Sequence, residues 1–130
     1  MTSATDSLIV SPVLTAQLTL QQVEGKLDTF VHTLPDQEVS DALIRALNDA
    51  YMAVISLVAA CWGVLPEDLE HHYGGLKYVL LRSQIDGLIV EINDPFKRTL
   101  VSGDIRVQLV QLGEIVEECA WIDGAQHNFS

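Results

Sequence analysis

Ala50–Leu65 reads AYMAVISLVAACWGVL, sixteen residues without a charge and with Ser56 as the one clearly polar side chain. A surface helix needs a wet face, and this stretch offers almost none. It therefore belongs at the centre of a bundle, at a subunit interface or in a membrane. Two apolar seams run along the helix that contains it. One is Leu43, Leu47, Ala50, Val54, Leu57, Cys61 and Val64; the other is Ile44, Tyr51, Ile55, Val58, Trp62 and Leu65. One seam fills one groove, so two adjacent seams require two. The second seam is accordingly expected to face a second copy of the chain or a client.

The same spacing organises the rest of the chain. Ser11–Pro12 resembles a cap followed by a first-turn proline, and it opens a seam of Val13, Ala16, Leu20, Val23, Leu27, Phe30 and Leu34. Pro35, Asp36 and Glu38 start the second helix, which Leu65–Pro66 stops. A short helix is expected near 66–72, ended by Gly74–Gly75. The third long helix runs from about Leu76 to Asn93, with a strand through Leu88-Ile89-Val90 as its alternative. Ser102-Gly103-Asp104 caps a fourth, carrying Ile105, Leu109, Leu112, Val116 and Cys119 and fading near Gly124. The expected fold is all-α, a four-helix antiparallel bundle with a short extra helix in the connection near 66–72. It occupies 11–124 as a single domain between flexible tails at 1–10 and 125–130. Interior glycines at 25, 63, 87 and 113 suggest close helix approach.

Net charge is -11, from 18 acids against 7 bases. Ten of the acids fall within residues 1–70, against only Lys26 and Arg45. Such a field disfavours nucleic acid and anionic membrane surfaces and attracts basic proteins. The stretch 50–65 falls short of the roughly 20 apolar residues of a membrane span, and acids flank it. Cys61 and Cys119 lie in apolar patterns without metal-ligand spacing and read as buried reduced thiols. No secretory leader pattern is seen at the start, so a cytoplasmic location is expected.

Two constellations carry residue types suited to chemistry. In Glu67-Asp68-Leu69-Glu70-His71-His72, Asp68 and His71 share a helix face, an arrangement able to ligate a metal. In the fourth helix, Glu114, Glu117 and Glu118 accompany Glu91 of the third as a possible magnesium set. The MazG-type pyrophosphohydrolases place Glu-x-x-Glu before Glu-x-x-Asp. The order here is the reverse, so no resemblance follows. Lys97, Arg98 and Arg106 form a local basic patch, read as a docking or solvated loop. No nucleophile elbow or phosphate loop is present.

These readings favour a non-enzymatic acidic binding protein without a cofactor: an assembly chaperone, an inhibitor or immunity-type protein, or an adaptor. It is expected to self-associate and to engage a basic protein. The expected interface is Ile44, Tyr51, Ile55, Val58, Trp62 and Leu65, with Asp36, Glu38, Asp41 and Asp49 facing the partner. A small metal-dependent hydrolase and an architectural subunit are the alternatives.

Overall fold

The chain is a four-helix bundle. The computed structural model describes the backbone of residues 3–72 and 74–129, and the side chains of 12–72 and 74–121. The long helices are α1 (Ser3–His32), α2 (Gln37–Trp62), α3 (Leu76–Ile92) and α4 (Arg98–Phe129). Two short 3-10 turns join them: η1 (Pro66–His71) between α2 and α3, and η2 (Pro95–Lys97) between α3 and α4. Among the described residues there is no strand, so Leu88-Ile89-Val90 is helical. The flexible tails expected at 1–10 and 125–130 concern side chains outside the described residues. The backbone there is helical from Ser3 and as far as Phe129.

Two core clusters show how the helices run. One joins Val23, Leu27 and Phe30 late in α1 to Leu43 and Leu47 early in α2, Leu88 and Ile92 late in α3, and Val101 and Ile105 early in α4. The other joins Ala16 to Val54 and Val58, to Tyr78, Leu81 and Ile85, and to Leu112, Val116 and Cys119. Each helix thus runs opposite to the next, and Leu20 packs against both clusters.

The bundle's cross-section is a rhombus rather than a square. α2 packs against α1, α3 and α4, whereas among the described residues α1 and α3 make no close backbone approach. α2 and α4 therefore form the short diagonal. This answers why α2 carries two seams. The first is buried from Leu43 to Leu57, and Tyr51, Ile55 and Val58 of the second are buried among η1, α3 and α4. Beyond the first turn of α2, the flank left exposed is a single stripe of Asp41, Arg45, Asn48, Asp49, Met52, Ser56 and Ala60. Part of the apolar surplus that pointed to a second copy is covered within the one chain, while Met52 and Leu65 stay more than half exposed. α2 is also long and apolar enough to cross a membrane, by length and composition. Here its apolar residues line the bundle's middle.

Several boundaries differ from the sequence reading. α1 runs back through Pro12 to Ser3 instead of starting at Ser11–Pro12. A proline's φ suits a helix, though inside one it gives up a backbone bond and crowds the carbonyl four residues back. α4 begins at Arg98, ahead of Ser102-Gly103-Asp104, which lies in its second turn. Asp94 supplies the start signal, because its carboxylate accepts from the Phe96 N–H at 3.0 Å across Pro95. Those residues end one helix and open the next turn together. Asp36 caps α2 likewise, accepting from the Glu38 N–H at 2.8 Å. α2 ends at Gly63, whose φ of 70° suits glycine and lets the Val64 N–H reach the Ala59 carbonyl.

The glycines do not mark close helix approach. A Cβ on Gly25, Gly63, Gly87 or Gly113 would meet nothing within 4 Å. Gly75 is the exception. A Cβ there would collide with the backbone carbonyl of Leu69, where the chain turns from η1 into α3.

Candidate functional site

A concavity of about 420 Å³ opens between α2, η1 and α3. Tyr51 and Ile55 from α2, Leu69 from η1 and Tyr78 from α3 form its buried floor. Met52 and Val79 stand at its mouth, 52% and 39% exposed. Glu67 and Glu70 line the η1 side, and Arg82 the α3 side. Their positions follow from the local fold. Pro66 starts η1 just beyond the Gly63 cap, and η1 turns Leu69 inward while leaving the acids in water. Tyr51 and Ile55, four apart, face the same way on α2.

The groove already holds a cation on one of its rings. The Arg82 guanidinium lies 5.7 Å from the Tyr51 ring centre, and its Nε is 4.0 Å from Asp86. Burial pushes the Tyr51 hydroxyl above its ordinary range; Arg82 opposes that shift, while Asp86 and Glu70 add to it. Tyr78 is raised by burial and by Cys119, Glu118 and Cys61 behind it. Both tyrosines are therefore neutral hydrogen-bonding groups at ordinary pH. An apolar floor, aromatic faces and carboxylates on one wall suit an apolar side chain accompanied by lysine or arginine.

The expected interface set does not form one open face. Tyr51, Ile55 and Val58 are buried, Ile44 and Trp62 are half-buried, and Leu65 is 60% exposed. Trp62 packs edge-on against Tyr78 at 5.5 Å and against His72 at 5.1 Å. Tyr51 and Ile55 reach the groove as part of its floor. Of the acids expected to face a partner, Asp36 caps α2 and Asp41 accepts from the Gln37 amide at 2.8 Å. Glu38 and Asp49 are exposed, with Asp49 one turn from Met52 on the wet stripe of α2.

The magnesium set does not assemble. Glu91 lies toward the end of α3 that packs beside Val101 and Ile105, while Glu114, Glu117 and Glu118 lie further along α4. The antiparallel course separates them by roughly 20 Å at 1.5 Å per residue. Glu114 and Glu118 instead line a second cleft with Lys77 and Leu80. Asp68 and His71 are exposed on η1, where His71 Nε2 lies 3.4 Å from Glu70. Among the described residues no three His, Cys, Asp or Glu side chains gather to hold a metal ion.

Arg98, expected in a basic docking or solvated loop, is built into the fold. Its Nη2 donates to the carbonyls of Phe30 and Thr33, the latter at 2.9 Å, and its guanidinium stacks 4.0 Å from the Phe30 ring centre. The carbonyl end of α1 attracts a cation, which explains the placement. Nothing in the spacing around Arg98 signals this contact. Met52 and Val79 were missed from the sequence; the signal that could have found them is an apolar residue set off the main buried face of its helix.

Comparison with protein-family models, with characterised proteins and with solved structures finds no match. The functional argument therefore rests on this chain's own residues.

Proposed function

We propose that this chain is a non-enzymatic binding protein that holds a basic, amphipathic segment of another protein in the groove between α2, η1 and α3. The groove itself carries the reading: a buried apolar floor, Met52 and Val79 exposed at the mouth, and Glu67 and Glu70 on one wall. Methionine adapts to varied apolar partners, and carboxylates at a rim orient a cationic one. The net charge of -11 adds long-range attraction for such a partner.

A helical peptide of alternating leucine and lysine tests this, with a leucine and glutamate peptide as control. The lysine peptide should shift the methyl resonances of Met52 and Val79, and its affinity should fall as salt rises. Met52→Asp should abolish binding. Glu67→Lys and Glu70→Lys should each weaken it by about twofold to fivefold, the range for a single exposed ion pair. Equal binding of both peptides, or a lysine peptide that leaves the Met52 methyl unmoved, would overturn the assignment.

A further inference from the structure

We propose that Cys61 and Cys119 are a paired dithiol that closes to an intramolecular disulfide on meeting a disulfide oxidant such as glutathione disulfide, stapling α2 to α4. Both cysteines are free, and they lie 58 positions apart in sequence. The bundle's short diagonal brings them together. The Cys61 Sγ is 4.0 Å from the Cys119 carbonyl oxygen, and Cys61 packs against the core cluster that contains Cys119. Their helices, α2 and α4, pack directly against each other.

The surroundings set the order of events. Cys61 is half-buried and Cys119 is buried. Burial, with Cys61 and Glu118 nearby, pushes the Cys119 thiol up to about 12, so it is protonated and unreactive on its own. Cys61 therefore reacts first. Its thiolate attacks one sulfur of glutathione disulfide, forming a mixed disulfide and releasing one glutathione thiolate. Cys119 then gives up its proton and attacks the Cys61 sulfur, releasing the second glutathione. Two protein thiols become one disulfide, one glutathione disulfide becomes two glutathiones, and the two protons end on the released thiols.

The test is incubation of the full-length folded protein with glutathione disulfide, followed by intact-mass and thiol measurements. The expected product has lost two hydrogens, retains no glutathione, has no titratable thiol and runs as a single chain under non-reducing conditions. Its melting temperature should rise by about 10 °C, the order expected for closing a long loop, and return on reduction. Cys119→Ser should stop at a stable glutathione adduct on Cys61, while Cys61→Ser should leave Cys119 unmodified. Trp62 lies beside Cys61 in the chain and packs on Tyr78, so its fluorescence should change on closure in the native protein and not in Cys119→Ser. A persistent glutathione adduct on the native chain, a disulfide between two chains, or two thiols that stay reduced would each overturn the proposal.

Discussion

Arg98 closes the carbonyl end of α1 from a different helix, and losing it would leave the Phe30 and Thr33 carbonyls without that donor and the Phe30 ring without its cation. Arg98→Ala should lower stability by about 1–2 kcal/mol in urea unfolding, the range for charged hydrogen bonds at a partly exposed site. Arg98→Lys should recover only part, because an ammonium lacks the planar fork. Cys119 sets a pH dependence. Its thiol keeps its proton in the folded chain to about pH 12, whereas the unfolded chain releases it near 9. Above pH 9 the unfolded state therefore holds fewer protons, and rising pH favours unfolding. The stability from this group is complete below pH 9 and is lost as pH climbs through about 12. Tyr51 and Tyr78, both raised by burial, push the same way. Urea midpoints should fall on the alkaline side of pH 9, and Cys119→Ala should reduce the slope.

At the scale of the element, the glycines separate into two kinds. Gly25 in α1 and Gly87 in α3 are exposed, and a Cβ on either meets nothing. Gly25→Ala and Gly87→Ala should each stabilise the chain by about 0.5–1 kcal/mol, by helix propensity and reduced freedom of the unfolded state. Gly63→Ala should destabilise by about 1 kcal/mol, because the α2 cap needs a left-handed residue. Gly75→Ala should cost more, because Leu69's carbonyl occupies the space. Chemical denaturation of the four variants checks the signs. The extents of α2 and α3 were nearly legible because seams, caps and prolines are local signals. The start of α4 was not, because Asp94-Pro95 terminates α3 and initiates η2 at once. A stop signal there conceals a start signal.

For the whole molecule, the rhombic arrangement places the greatest burden on α2. Leu47 and Val54 are fully buried and face different core clusters. Leu47→Ala should therefore destabilise by about 2–4 kcal/mol, through lost burial and the cavity left behind. Val90, 72% exposed on α3, should tolerate alanine within about 0.5 kcal/mol. Thermal or urea unfolding distinguishes the two. The candidate groove was half legible in the same sense. Tyr51 and Ile55 stood out by their periodicity, and Glu67 and Glu70 by their charge. Their convergence required η1 to fold back beside α2 and α3, which no local pattern encodes.

The amino-acid sequence alone determined the helices, their apolar seams and the central place of α2 in the core. Those properties follow from spacing along one chain and from the exclusion of apolar surface from water. Tertiary structure alone decided which helix covers which seam. It made α2 and α4 the short diagonal, buried Tyr51, Ile55 and Val58 of the second seam within the chain, brought Cys61 near Cys119 and kept Glu91 from Glu114. The physical reason is that a seam specifies a need for burial but not the neighbour that meets it. The choice of neighbour depends on the antiparallel course and close packing of all four helices together.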